Sequence, residues 1–166
     1  ENSNKIQERA LREFNELVNK LNIKGVNVNV LKDNLSSSTP DSIFPNNWFS
    51  THEGGHLVFY PMYARNRREE VEKFKHEITE MMKRKQIKEG RGLKIYDYLS
   101  FEYTDKFLEG TGSMVIDRKN RTAYCSLSPR ADKDLFLRFC EDTNHKPVYF
   151  GAYQDGVPIY HTNVMM

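Results

Sequence analysis

Two short segments of the sequence contain side chains suited to acid–base chemistry. In the first, Glu109 lies between the apolar pair Phe107-Leu108 and the run Gly110-Thr111-Gly112. Glycines let a ligand or another backbone approach closely, and a buried carboxylate is unfavourable unless it is paired. In the second, His161 follows an apolar stretch after the Asp155-Gly156 turn. A histidine within reach of a carboxylate can act as a general acid and base.

Each of these two residues also has a structural interpretation. A glutamate next to glycines is typical of a turn or a helix cap, and a single histidine at the end of an apolar strand often belongs to the core. The catalytic interpretation therefore depends on whether Glu109 and His161 lie close together in space.

A third polar segment covers residues 40–50. It contains the only tryptophan of the chain, Trp48, two adjacent amides, Asn46 and Asn47, and an acid, Asp41. One interpretation is an edge strand with a proline bulge and a buried aromatic side chain. The other is a hydrogen-bonding wall that binds a planar polar group.

Internal repetition of the sequence connects the three segments. An offset of 52 residues aligns Glu109 with His161. An offset of 65 residues aligns the earlier segment 44–65 with the segment 109–130. The pairs at the longer offset are Phe44 with Glu109, Leu57 with Thr122, and Arg65 with Arg130. Equivalent positions in successive repeats converge on a common axis. We therefore expect Glu109 and His161 to face each other across one central pocket.

The spacing of apolar residues predicts the elements that position these side chains. Helices are predicted at 4–21, at 66–85 and around Leu135, Phe139 and Cys140, which face inward. Strands are predicted at 26–30, 42–50, 57–62, 114–116 and 122–127, and a third repeat begins at Ile159. A repeat of strand, strand, helix and strand indicates an α/β fold of the propeller type, in which several repeats must pack together.

The composition indicates a folded protein and excludes some partners. Hydrophobic residues make up 38% and charged residues 29% of the 166 residues, which suits one domain with a core. A net charge of +2 does not favour nucleic acid, and no apolar run is long enough to span a membrane. Two cysteines are too few for a disulfide framework and lack metal-ligand spacing. We expect a reduced, cytoplasmic protein without a metal.

Several motifs resemble a known family. The segments PDSIFPNNWFSTH, LVFYPMYARNRR, FLEGTGSMVIDR, AYCSLSPRAD and PIYHTNVMM are similar to the amidinotransferase-related branch of the guanidine-modifying, or pentein, superfamily. The citrulline ureidohydrolase type is the most similar, and arginine deiminases and dimethylarginine hydrolases are more distant. The resemblance runs from about Ile6 to Met166. It implies a pentein α/β-propeller, with residues 1–166 as a single domain that is incomplete at both ends and holds about three of five repeats.

The resemblance implies a role for each matching residue. Glu109 and His161 match the catalytic carboxylate and histidine of the family. Asn47 and Asn163 occupy places where deiminases have aspartates, and Asn47 stands where an aspartate grips the guanidinium. Asp41 is assigned to substrate binding together with Asn47.

Arginines are implied at the other end of the substrate. Arg130 matches an arginine that binds the substrate carboxylate. Arg65, its counterpart in the repeat, is a weaker candidate for the same role, with Arg67 and Arg68 as rivals.

The two amides favour a neutral substrate. An amide both donates and accepts hydrogen bonds, so Asn47 and Asn163 suit the ureido group of citrulline better than a cationic guanidinium. One alternative is an arginine-type guanidine hydrolase, a deiminase or an amidinotransferase. Another is a non-catalytic binding module, because a fold alone does not determine function.

The nucleophile implied by the family is a cysteine that this sequence does not match. Cys125 and Cys140 both have the setting of inert core thiols. We therefore expect the chain to be part of a longer hydrolase and to be inactive by itself. The expected partners are a small amino-acid substrate, the remainder of the same protein and a second copy in a homo-oligomer, and no cofactor is expected.

Overall fold

A computed structural model describes residues 3–34 and 38–166. The chain forms two compact units, Glu1–Lys32 and Asp33–Met166. None of the helices in the described residues has the length and the apolar content to cross a bilayer.

The first unit contains helix α1 (Ser3–Ile23), which confirms the helix predicted at 4–21. Gly25 follows with φ +81°, a left-handed conformation that glycine adopts readily after a helix. The strand predicted at 26–30 is wrong, because these residues form no ladder and the side chains of Val26 and Val30 are about half exposed. Alternating valines form a strand only beside a hydrogen-bonding partner strand, and the described part of this unit contains none.

The second unit contains a first repeat of two strands, a helix and a third strand. A 3₁₀ turn at Pro45–Asn47 leads into β1 (Phe49–His52), which pairs antiparallel with β2 (His56–Phe59). Helix α2 (Arg65–Lys88) then crosses over to β3 (Lys94–Asp97), which lies parallel to β2. The sheet order is β1-β2-β3, and the elements follow one another in the predicted order of strand, strand, helix and strand.

A second repeat has the same order of elements. It consists of a short helix α3 (Gly110–Ser113), β4 (Met114–Asp117), β5 (Thr122–Ser126), α4 (Lys133–Thr143) and β6 (Lys146–Phe150). Again the first pair of strands is antiparallel and the second pair is parallel. Helix α2 has 24 residues and α4 has 11. The difference of 13 residues equals the difference between the offsets of 65 and 52.

The chain after β6 begins like a third repeat. A hairpin of β7 (Tyr153–Gln154) and β8 (Val157–Pro158) is followed by a 3₁₀ turn at Thr162–Val164. This turn begins 52 residues after α3, as the offset predicts. The predicted α/β class and the repeated units are confirmed, and closure into a propeller stays a prediction.

One core cluster joins the strands of both repeats to α4. Its largest members are Tyr60, Tyr96, Tyr98, Phe136 and Phe139. The predicted inward face of α4 is confirmed, since Leu135, Phe139 and Cys140 are buried. In α2, four apolar side chains at helical spacing are also buried, namely Val71, Phe74, Ile78 and Met82.

The strand predicted at 42–50 is wrong over most of its length. Only Phe49 and Ser50 belong to β1, and Pro45 begins a 3₁₀ turn. Proline lacks the N–H group that a ladder requires, and its fixed φ suits the first position of a helical turn. The turn places Asn47 and Trp48 in the interior, at 6% and 1% exposure.

Candidate active site

The side chains of Glu109 and His161 meet inside the second unit. Glu109 Oε2 lies 2.7 Å from His161 Nε2, the glutamate side chain is fully buried, and 19% of the histidine side chain is exposed. Each residue directly precedes a short helical turn, α3 for Glu109 and Thr162–Val164 for His161. The two side chains therefore lie together, as the 52-residue offset predicts, but they are in direct contact rather than on opposite sides of a pocket.

Two further groups bind the buried carboxylate. Glu109 Oε1 accepts a hydrogen bond from the backbone N–H of Tyr63 at 3.2 Å, and Oε2 lies 3.3 Å from Nη1 of Arg130. Burial by itself would raise the pKa of Glu109. The hydrogen bond to His161 and the charge of Arg130 outweigh burial and keep this pKa below its ordinary value. The carboxylate is therefore ionised at neutral pH.

The ionised carboxylate determines which histidine nitrogen carries a proton. A carboxylate only accepts hydrogen bonds, so His161 Nε2 donates to Glu109 and Nδ1 becomes the nitrogen that can exchange a proton. A cavity of about 380 Å³ lies beside the ring, with Val157, Tyr160 and Val164 in its wall. This volume suits a small molecule.

Buried hydroxyl groups fix the two turns that follow this pair. Thr162 Oγ1 donates to the carbonyl oxygen of Ser113 at 2.5 Å and accepts from the N–H of Ser126 at 2.8 Å. Ser113 Oγ donates to the carbonyl oxygen of Arg130 at 3.0 Å and accepts from the N–H of Glu109 at 3.3 Å. These bonds connect both turns to each other and to β5. They therefore fix the positions of Glu109 and His161 relative to each other.

The guanidinium of Arg130 contacts two tyrosine rings. It is 4.4 Å from the ring centre of Tyr160 and 5.4 Å from that of Tyr63, as in cation–π contacts. The structure thus brings Arg130 to the pair, but one of its amino groups faces Glu109. Its predicted role in binding a substrate carboxylate stays a prediction.

A buried ion pair that the sequence did not reveal holds Asn47. Arg67 Nη1 donates to Asn47 Oδ1 at 2.7 Å, and Arg67 Nε and Nη2 each lie 3.0 Å from one oxygen of Glu70. Arg67 is 7% exposed and Glu70 is 0% exposed. Because arginine only donates, Oδ1 must face Arg67, and the NH₂ group of Asn47 must take the other side of the amide.

Two glycines allow Asn46 and Asn47 to approach the turn after Glu109. A Cβ atom at Gly112 would overlap with Asn47 Nδ2 and lie 3.1 Å from His161 Nε2. Gly110 has φ +43°, and a Cβ atom there would overlap with the carbonyl oxygen of Asn46. The glycines after Glu109 therefore permit the close approach of another backbone, as the sequence indicates.

Three side chains that were predicted to bind substrate do not contact the pair of Glu109 and His161. Asn163 is exposed, because Thr162 is the residue of that turn that faces inward. Arg65 is exposed at the start of α2, and Asp41 contributes only its backbone carbonyl, which accepts from a guanidinium at 3.2 Å. Arg68, a rival of Arg65, lies 3.5 Å from Glu102 instead. Roles for these residues stay predictions.

Neither cysteine is placed as a nucleophile. Cys125 and Cys140 are buried in the core cluster. Burial raises the pKa of each thiol to about 12. Such thiols are protonated at neutral pH, and the nucleophilic form is the thiolate.

Several solved structures share the fold over most of the chain. The substrate-bound N-terminal domain of ArgZ, an arginine dihydrolase from Cyanobacteria, has 21% identity and a TM-score of 0.67 over 93% of this chain and 50% of its own. AgrE with ornithine and NAD+ has 20% identity and a TM-score of 0.67, covering 93% of this chain and 20% of its own. A dimethylarginine dimethylaminohydrolase adduct with S-methyl-L-thiocitrulline has 17% identity and a TM-score of 0.64, covering 89% and 52%.

These matches confirm a pentein-type fold. The chain spans about half the length of the ArgZ domain and of the dimethylarginine dimethylaminohydrolase that it matches. No curated protein matches the sequence significantly. A family model described as N,N dimethylarginine dimethylhydrolase, eukaryotic, matches residues 1–166, which confirms the pentein superfamily predicted from the motifs. The chain belongs to this N,N dimethylarginine dimethylhydrolase family.

Proposed function

We propose that the chain provides the acid–base part of a hydrolase that cleaves a C–N bond in the guanidino or ureido group of an amino acid. The pair of Glu109 and His161 carries this proposal, since an ionised, buried carboxylate fixes Nε2 and leaves Nδ1 for proton exchange. A non-catalytic binding module has no need for such a pair. The family and the arginine-directed relatives further support guanidino chemistry.

The proposed reaction uses a thiolate supplied by residues outside this chain. The thiolate attacks the planar guanidino carbon, and His161 donates a proton to the departing amine. His161 then takes a proton from the water that attacks the same carbon. The C–S bond breaks, the ureido product leaves and the thiolate is regenerated. Glu109 orients the imidazole and stabilises its positive charge during both steps.

N,N-dimethylarginine is the first candidate substrate, because the family description names it. Citrulline is the second candidate, and the orientation of Asn47 favours it. The NH₂ group of Asn47 lies on the side of the amide that faces Gly112, and a Cβ atom at Gly112 would also lie 3.1 Å from Nε2 of His161. It can donate to the oxygen of a ureido group, whereas a guanidinium has no acceptor for it.

We also propose that the two repeats belong to a closed propeller. The ArgZ domain and the dimethylarginine dimethylaminohydrolase are about twice as long as this chain, which leaves room for further repeats. In this arrangement the remaining repeats bring the thiolate to His161, and the 166 residues alone do not turn over substrate.

The proposal can be tested in the full-length protein. Product release is measured with N,N-dimethylarginine, arginine and citrulline for the wild type, for Glu109→Gln and for His161→Asn. Each variant is expected to lower kcat/KM by about 10²–10⁴-fold on the preferred substrate. Glu80→Gln, on the exposed part of α2, serves as the control with normal activity.

Two results would contradict the proposal. One is a His161→Asn enzyme that keeps nearly all of its activity. The other is turnover by the 166-residue chain that disappears when Cys125 or Cys140 is replaced, since it would identify a buried thiol as the nucleophile.

A further inference from the structure

A second polar cavity lies at the other end of the strands that start near the candidate active site. It has a volume of about 440 Å³ and is bounded by the turns after β1 and β4 and by the end of α4. Strand β4 starts directly after α3 and ends at Asp117. A strand of four residues is roughly 13 Å long, so this cavity is separate from the pair of Glu109 and His161.

Five basic side chains line this cavity, and we call it the basic cavity. They are His52, His56, His145, Arg118 and Arg121. Three separate segments supply them, and both guanidinium groups are exposed and permanently charged. Neither arginine forms an ion pair with any residue in the described parts of the chain.

Two acids also line the basic cavity, but neither neutralises the arginines. Asp142 Oδ2 accepts a hydrogen bond from Tyr98 at 2.7 Å and lies 3.8 Å from Arg138. The carboxylate of Asp142 is therefore committed to other partners. Glu53 is exposed, and it forms no ion pair with another described residue.

The charge around the half-buried imidazole of His52 is positive. Burial and the nearby Arg118, His145 and His56 lower the pKa of His52 to about 4. The pKa of His145 is lowered by burial and by the same arginine together with Arg121. No carboxylate counteracts these shifts, so an anion in the cavity would meet a positive potential.

The hydrogen bonds of His52 show which proton the ring carries. Arg118 Nη1 lies 3.5 Å from Nδ1, and Nε2 lies 2.7 Å from the hydroxyl of Ser50. Because arginine only donates, Nδ1 must be the acceptor and the ring is neutral with its proton on Nε2. An anion placed between Nδ1 and Arg118 would instead favour a second proton on the ring.

We propose that the basic cavity binds a phosphate group, either as inorganic phosphate or as a phosphate monoester. Arg118 and Arg121 supply planar, charged donors that match phosphate oxygens. A second proton on Nδ1 of His52, taken up together with the anion, would add a donor from another segment, and donors from several directions suit a tetrahedral anion better than a planar carboxylate. The volume lies in the range of small-molecule sites.

The test is calorimetric titration of the 166-residue chain with inorganic phosphate and, separately, with glycerol 3-phosphate, at constant ionic strength. Titrations in two buffers of different ionisation enthalpy measure proton uptake. We expect saturable binding with net proton uptake, and a loss of affinity of about tenfold or more for Arg118→Gln. Lys119→Gln is the matched control, because this exposed residue carries the same charge in the same turn but does not line the cavity.

The two ligands distinguish the source of the phosphate. Tighter binding of glycerol 3-phosphate identifies a monoester, and equal or tighter binding of inorganic phosphate identifies the free ion. Absence of saturable binding by both ligands would overturn the proposal. Equal loss of affinity in Lys119→Gln and Arg118→Gln would also overturn it, because binding would then follow net charge rather than the cavity. Circular dichroism confirms that each variant is folded.

Discussion

Arg67 fixes the orientation of Asn47 through a hydrogen bond of 2.7 Å between Nη1 and Oδ1. The guanidinium is itself held by Glu70, at 3.0 Å from each carboxylate oxygen. The amide nitrogen of Asn47 is therefore directed toward Gly112 by a buried ion pair in helix α2. The group that Asn47 presents at this position is therefore set by residues outside the glutamate–histidine pair.

Replacement of Asn47 by aspartate should shift substrate preference. Arg67 can still donate to one carboxylate oxygen, while the other replaces the NH₂ group beside the histidine. A charge-assisted contact to a guanidinium is worth about 1.5–3 kcal/mol, so the ratio of kcat/KM for N,N-dimethylarginine over citrulline should rise roughly tenfold or more. Steady-state kinetics of the full-length Asn47→Asp enzyme measure this ratio. An unchanged ratio, or one that moves equally in Asn163→Asp, would contradict the assignment of Asn47.

Removal of the buried acid in α2 should destabilise the protein. Glu70→Gln leaves Arg67 buried without its charged partner, which costs about 3–5 kcal/mol of unfolding free energy. Glu80→Gln is a matched control in the same helix, because Glu80 and Lys83 have the same three-residue spacing but their side chains are 37% and 51% exposed. Urea unfolding of both variants measures the difference. Similar stability of the two variants would show that the buried pair makes no special contribution.

A methyl group at Gly112 should disrupt the site. The Cβ atom of Gly112→Ala would overlap with Asn47 Nδ2 and press on the ring of His161. We expect lower stability and a loss of activity in the full-length enzyme. Gly92→Ala is the control, since a Cβ atom there meets nothing within 4 Å and φ is not positive. If both alanine variants behave alike, the close packing at Gly112 has no consequence.

Acid should destabilise the wild type more than Glu109→Gln. The pKa of Glu109 is below its ordinary value of 4.5 in the folded state, so the unfolded chain takes up this proton first on acidification. The stabilisation is complete above pH 4.5 and is lost as pH falls through the lower, folded pKa. Urea unfolding between about pH 6 and pH 3 should give converging stabilities of the two proteins. Parallel curves would mean that the folded and unfolded pKa values are equal.

The two thiols should react only after unfolding. Both are buried with a pKa of about 12, so almost no thiolate is present at neutral pH. Labelling with a chromogenic disulfide reagent should be slow in buffer and should reach two thiols per chain in denaturant. Rapid labelling of Cys125 or Cys140 in the native protein would show that this thiol is accessible. Its assignment as an inert core thiol would then be wrong.

The meeting of Glu109 and His161 could be predicted because repetition carries three-dimensional information. Residues at equivalent positions of repeats occupy equivalent places, whatever their chemical type. The strand expected at 26–30 could not be judged in this way, because it lies before the repeats. Local alternation of valines does not reveal whether a partner strand exists.

The buried pair in α2 was missed for a different reason. Charged residues are usually exposed, and Arg67 was considered only as a substrate-binding arginine. A signal was nevertheless present, since Arg67 and Glu70 have helical spacing with the buried Val71 and Phe74. Opposite charges on an apolar stripe indicate a buried ion pair, but only the fold shows that Asn47 is its third member.

The unequal helices of the two repeats have a consequence for how the protein tolerates changes in length. Strands β1 and β4 each have four residues, while α2 is longer than α4 by 13 residues, roughly 20 Å of helix. Insertions and deletions can therefore accumulate in the helices while the register of the short turns beside Glu109 and His161 is kept. For protein engineering, the end of α2 near Lys88 is the place to graft a peptide tag or a reporter without moving the candidate site.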